Sequence, residues 1–135
     1  MKPGLIAALF LLLVSAAFPA GNARPEATDV SMIRLIAAPQ EYSKKVVRVI
    51  GYLNIEFEGN AIYLHEEDFK RSLTANALWV DAKPEMMEEL KKLSGQYVLL
   101  EGVFEASDHG HLGLFSGALQ EIHRADRWNF TRTAK

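Results

Sequence analysis

The sequence predicts a mainly β domain that closes into a small five-stranded barrel. Residues 47–53 (VRVIGYL) and 98–104 (VLLEGVF) repeat one pattern, in which apolar residues alternate and a glycine falls on the inward-facing set. A glycine in mid-strand weakens the strand and is typical of a position where a sheet bends or closes on itself. Two such strands, with a short strand pair between the first of them and a helix, favour a curled barrel over a flat sheet.

The first half of the domain is predicted to contain a short helix and a hairpin. Thr28, Asp29 or Ser31 can cap a helix that ends at Pro39. The first long strand then covers residues 46–57, and the chain returns through 61–65 after a turn whose residues are Glu58, Gly59 and Asn60. Residues 66–76 are predicted to form a polar, irregular connection.

The second half is predicted to contain a third strand, one helix and two further strands. The third strand covers residues 77–81. The helix begins at Pro84 and ends before Gly95, with glutamates early and lysines late, as the helix dipole prefers. The last two strands cover 97–105 and 111–123.

This order of elements is the plan of the OB-fold, a five-stranded Greek-key barrel. We therefore predict an OB-fold barrel with a helix between strands three and four and a short N-terminal helix. Ligands of this fold usually lie across strands two and three, between the loop that joins strands one and two and the loop that joins strands four and five.

The ends of the chain predict export. Lys2 precedes an apolar run over residues 5–14, which is typical of a secretory signal peptide and too short for a membrane span. Cleavage after Ala23 leaves small residues at the exit, and cleavage after Ala17 is the alternative. We expect a signal peptide over 1–23, an OB-fold domain over 24–123, a basic C-terminal tail over 124–135, and a periplasmic or secreted protein. The chain has no cysteine, so the fold cannot rely on disulfides.

Two segments resemble a known group of proteins. Residues 31–53, with a helix, Pro39, Tyr42, Lys45 and then a Val-x-Val-x-Gly strand, are similar to the opening of small exported bacterial OB-fold proteins. Residues 108–117 (DHGHLGLFSG) resemble a segment of a largely uncharacterised group among them. The resemblance implies an OB-fold and export, and it implies no particular activity.

The predicted ligand surface is the usual OB-fold face. Aromatic residues there can stack on an oligosaccharide or a peptide, and Tyr52 and Arg48 are expected to share a sheet face with them. The candidate ligand-binding residues are Tyr63, His65, Glu66, Trp79, Asp108, His109 and His111. The alternative interpretation is that Trp79 and one tyrosine cover the side of the barrel.

A metal site is a second hypothesis. His109 and His111 are two residues apart and point the same way in an extended segment, and Asp108 or Glu105 can supply an oxygen ligand for zinc, nickel or copper. The alternative is a polar turn in which an imidazole bonds the backbone of a glycine-rich loop.

Other classes of function are disfavoured. The formal net charge is −2, the middle of the chain is acidic, and no concentrated basic face is apparent, so nucleic acid is not expected as a partner. Neither a nucleophile motif nor a phosphate-binding glycine loop occurs, so we expect no catalysis and no cofactor. We predict a binding module for a small ligand, an oligosaccharide or an envelope protein. The alternatives are a periplasmic metal-binding protein and a subunit of an envelope assembly.

Overall fold

The computed structural model describes residues 23–130 and 132. Its strands are β1 (Thr28–Asp29), β2 (Val46–Asn54), β3 (Ala61–Tyr63), β4 (Ala77–Val80), β5 (Gln96–Glu105) and β6 (Ala118–Arg127). Its helices are α1 (Met32–Ala37), α2 (Pro39–Tyr42), α3 (Glu66–Lys70) and α4 (Pro84–Leu93), and single 3₁₀ turns cover Thr74–Asn76 and His111–Gly113.

Five of the strands close into a barrel, which confirms the predicted fold. The order is β2-β3-β4-β6-β5, and β5 pairs back onto β2 from Val46 to Leu53. The pair β4–β6 is parallel and the other neighbouring pairs of the barrel are antiparallel. β1 adds a short parallel strand to the outside edge of β2. The helix α4 lies between β4 and β5 in sequence, as the OB-fold plan requires.

The two inward glycines lie where strands cross closely. A Cβ atom on Gly51 would lie 2.5 Å from the carbonyl oxygen of Tyr63, and one on Gly102 would lie 2.6 Å from that of Gln120. Near Gly102 the register between β5 and β6 also shifts, which marks a bulge. The glycine of each repeated pattern therefore lies where a neighbouring strand, β3 or β6, passes too close to leave room for a Cβ atom.

The barrel interior is apolar and is closed by helices at its ends. Phe104, Leu53 and Leu100 are fully buried within it. Met32 and Leu35 of α1 join the same core. Ser31 caps that helix by accepting a hydrogen bond from the Arg34 N–H. Leu90 of α4 joins it as well. The core thus forms one continuous apolar cluster without disulfides.

The observed elements differ from the predicted ones at several places. The first two strands are shorter than predicted, since β2 ends at Asn54 and not at residue 57, and β3 ends at Tyr63 and not at residue 65. The short strand β1 was not predicted. Pro39 ends α1 as predicted, but it also begins α2. The connection over 66–76 is not irregular, because α3 and the first 3₁₀ turn occupy most of it. The last strand begins at Ala118, after the glycine-rich segment, and continues to Arg127, so residues 124–127 lie in the sheet.

Most of the predicted signal peptide lies outside the described residues, since only its last residue, Ala23, is among them. Within residues 23–130 and 132, the structure contains no helix long and apolar enough to cross a membrane.

Candidate functional site

The predicted ligand face is covered by the chain itself. Tyr63, on the outside of β3, is only 5% exposed, and its ring packs at 5.5 Å, centroid to centroid, against Phe69 of α3. Tyr52 packs against the same Phe69 at 5.7 Å. Burial raises the pKa of both tyrosine hydroxyls. These tyrosines therefore belong to a second apolar cluster and do not form an open aromatic platform.

Trp79 is covered in the same way from the other side. Its ring lies 5.4 Å from that of Phe115, which belongs to the loop between β5 and β6. A Cβ on Gly110 would lie 2.5 Å from the Trp79 ring, so this loop rests directly on the indole. The interpretation in which Trp79 and a tyrosine cover the side of the barrel thus describes the observed packing.

His65 and Glu66 belong to the start of α3. The backbone N–H of His65 donates a hydrogen bond to Asp68 Oδ2 at 2.9 Å, and Glu66 pairs with Lys70 at 3.0 Å. Asp68 is buried and also accepts a bond from the side-chain amide of Asn76 at 2.8 Å. Sequence reasoning missed Asp68, although its position three residues after His65 is the spacing of a helix cap.

Asp108 and His109 hold the loop between β5 and β6 in place. Asp108 accepts hydrogen bonds from the Gly110 N–H at 2.9 Å and from the Gln120 side chain at 2.8 Å. His109 Nδ1 lies 2.8 Å from the carbonyl oxygen of Phe115. These bonds match the interpretation as a polar turn, in which an imidazole bonds the backbone of a glycine-rich loop.

His111 points to a different partner. It lies in a 3₁₀ turn and not in the predicted strand, and its Nε2 lies 3.5 Å from Glu58 Oε2 in the loop between β2 and β3. Across the described ranges, no group of three or more His, Asp or Glu side chains is placed to hold a metal ion. Among these described residues, the pair His109 and His111 therefore has no third protein ligand of the kind that the metal hypothesis requires.

The same two loops expose apolar side chains. Phe57 is 90% exposed beside Glu58, and Leu112 is 78% exposed beside His111. The contact between His111 and Glu58 ties the two loops to each other. The envelope-assembly alternative, which would use a sheet edge or the basic tail, stays a prediction.

An open groove lies further along the outer face of the sheet, across β2 and β5. The pairs Ile50↔Leu99 and Arg48↔Glu101 are adjacent on the outer face of this sheet. The groove encloses about 640 Å³, which falls within the usual range for small-molecule sites. It is lined by Asp29, Val30, Ser31, Arg48, Ile50, Leu99, Arg124 and Trp128, and we call it the β2–β5 groove.

The walls of the groove come from the two ends of the described chain. Val30 and Ser31 follow β1, which is held by a hydrogen bond from the Val30 N–H to the Arg48 carbonyl. Trp128 follows β6, and its backbone N–H donates a hydrogen bond to the Tyr97 carbonyl at 2.8 Å. The indole is 36% exposed and Ile50 is 39% exposed, so an aromatic and an aliphatic surface face the solvent together. Sequence reasoning missed this site because it placed Trp128 in a tail.

One end of the groove carries a network of charged groups. Glu101 Oε2 lies 3.0 Å from Arg48, its Oε1 lies 2.8 Å from His123 Nε2, and Arg48 also binds Asp29 at 3.1 Å. The hydrogen bond from His123, followed by those from Arg48, holds the pKa of Glu101 below its ordinary value. The bond to Glu101 likewise raises the pKa of Arg48. The network fixes Arg48 at the groove while leaving some of its five N–H donors for other partners.

Comparison of the chain with protein-family models gives no match, and comparison with curated proteins gives none either.

Proposed function

We propose that this chain is an exported OB-fold binding module that acts without catalysis, and that its ligand lies in the β2–β5 groove. The single observation that carries the proposal is the exposed apolar floor at Ile50, next to the half-exposed ring of Trp128. Apolar side chains that face an enclosed volume with a few polar groups are typical of small-molecule sites. The predicted OB-fold face offers no such surface, because Phe69 and Phe115 cover it.

The lining supports a ligand with an apolar body and one anionic group. Val30, Ile50 and Leu99 can contact the apolar body, and Trp128 can pack on it. Arg48 and Arg124 line one part of the groove, whereas Asp29 is the acidic residue of the lining. Arg48 pairs with Asp29 and Glu101, and Arg124 pairs with Asp126. A single carboxylate on the ligand would accept hydrogen bonds from the guanidinium N–H donors that these pairs leave free.

The test uses decanoate, a ten-carbon carboxylate, and follows tryptophan fluorescence during titration. We expect saturable binding to the protein, and we expect Ile50→Glu to weaken it at least tenfold by placing a charge on the apolar floor. Ile33→Glu is the matched control, because Ile33 is an exposed isoleucine of α1 that does not line the groove. The control should bind decanoate as the unsubstituted protein does. An absence of saturable binding, or equal loss in both variants, would refute the proposal.

A further inference from the structure

A second concave surface lies on the same sheet face, further along β2 and β5. Val46 pairs with Val103, one outward position beyond the pair Arg48↔Glu101. These two valines, with Ile122 of β6, form the apolar base of a cleft of about 720 Å³. We call it the basic cleft. The Glu101–His123 pair separates it from the β2–β5 groove, since His123 lines the cleft and Arg48 lines the groove.

The rim of the basic cleft concentrates positive charge from three separate parts of the chain. Arg24 precedes β1, Lys44 precedes β2, and Lys83 precedes α4. Within residues 23–130 and 132, none of these three cations forms an ion pair at 4.0 Å or less. Glu105 lies near Lys44, and Glu121 lines the cleft, so the three cations are balanced only in part, and a bound anion would lower the repulsion among them.

His123 also lines the cleft. Its Nε2 faces the Glu101 carboxylate at 2.8 Å, and its Nδ1 faces the carbonyl oxygen of Glu121 at 3.2 Å. Both partners are acceptors, so the imidazole is held between two oxygen atoms at the edge of the cleft. Glu121 is the acidic residue that lines the cleft. Three cations therefore line the cleft together with one acidic residue, and Glu101 balances His123.

The backbone of the cleft is strained at two of its lining residues. Lys44 has a φ of 65° and Glu121 a φ of 47°, both in the left-handed region that residues with a Cβ rarely adopt. The Lys44 N–H donates a hydrogen bond to the Phe104 carbonyl at 2.6 Å, and Glu121 lies at the bulge in β6. Strained residues of this kind are concentrated at functional sites, where the strain positions a side chain. The strain here sets the position of a cation on the cleft rim.

We propose that the basic cleft binds a multiply charged anion of the phosphate class. Several separated cations favour an anion with more than one charged group over a single small ion, because each group can meet its own cation. The open volume and the apolar base leave room for a carbon moiety attached to the phosphate. This site is separate from the proposed function, because it has a different lining and a different ligand chemistry.

The test measures binding of inorganic pyrophosphate by calorimetry at physiological ionic strength, with orthophosphate as the less charged comparison. We expect pyrophosphate to bind at least tenfold more tightly than orthophosphate. The double substitution of Lys44→Gln and Lys83→Gln should weaken pyrophosphate binding at least tenfold. The matched control is Lys45→Gln with Lys92→Gln, which removes two exposed lysines outside the cleft and changes the net charge equally.

A further variant separates binding from folding. Lys44→Gly removes the cation and also relieves the strain at φ 65°, so it should weaken pyrophosphate binding without lowering the melting temperature. Equal loss of binding in the cleft and control doubles, or no pyrophosphate binding at millimolar concentration, would overturn the proposal. Binding in the cleft and binding in the groove can be tested separately. Ile50→Glu should leave pyrophosphate binding unchanged, and Lys44→Gln should leave decanoate binding unchanged.

Discussion

At the scale of single residues, Gly51 is required by a close contact and not by its backbone angle. A Cβ there would lie 2.5 Å from the Tyr63 carbonyl oxygen, so Gly51→Ala must push two strands of the barrel apart. We expect a loss of about 3 kcal/mol in the free energy of unfolding, measured by urea denaturation. Gly113→Ala is the comparison, since a Cβ there meets nothing within 4 Å and only its φ of 67° is unfavourable. Gly113→Ala should lower the free energy of unfolding by about 1 kcal/mol. Equal losses of unfolding free energy in the two variants would contradict the role of the close contact at Gly51.

A second prediction for a single residue concerns Glu101 and the pH dependence of stability. Its pKa in the folded protein lies below the ordinary value of 4.5, because His123 and Arg48 bond the charged carboxylate. The carboxylate therefore stabilises the fold at pH values above 4.5, and this contribution is lost as the pH falls through the lower, folded-state pKa. Glu101→Gln should flatten the decrease in melting temperature over that acidic window. Glu85→Gln, at an exposed carboxylate of α4, should leave the pH profile unchanged. A profile unchanged by Glu101→Gln would show that the network contributes nothing.

At the scale of elements, α3 acts as a cover for the outer face of β2 and β3. Phe69 is its apolar contact, and it packs on both Tyr52 and Tyr63. Phe69→Ala should lower the free energy of unfolding by about 2 kcal/mol, less than for a fully buried phenylalanine because Phe69 is half-buried. Leu73→Ala, at a largely exposed position just after α3, should cost about 0.5 kcal/mol or less. Equal losses at the two sites would contradict the role of α3 as a cover.

The elements also show how far the sequence could predict the structure. The alternation in β2 and β5 and the helix from Pro84 were predictable, because these segments follow their own local pattern of burial and capping. The role of Tyr63 was not, because it depends on α3, a short helix whose polar sequence resembles a loop. Trp128 was likewise missed, because β6 continues through Arg124 and Arg127, whose charges suggested a tail. Sequence periodicity therefore could not predict which side chains are buried by elements that are distant in sequence.

At the scale of the whole molecule, the outside of the barrel has two different parts. In one part, the chain's own α3 and the loop between β5 and β6 cover the face on which OB-folds usually bind ligands. Beside it, the part of the outer face of β2 and β5 that runs from Ile50 to Val46 remains open and carries the β2–β5 groove and the basic cleft in succession. Glu101 lies between them and bonds a residue of each. The account therefore places ligand binding next to the usual OB-fold face and not on it.

The measurement that tests this most directly is chemical-shift mapping by NMR during a decanoate titration of the ¹⁵N-labelled protein. The account predicts that the largest changes occur at the backbone amides of Ile50 and Leu99 and at the indole N–H of Trp128, which line the β2–β5 groove. Changes centred instead on Tyr63, Trp79 and His109 would place the ligand on the covered face and contradict the account.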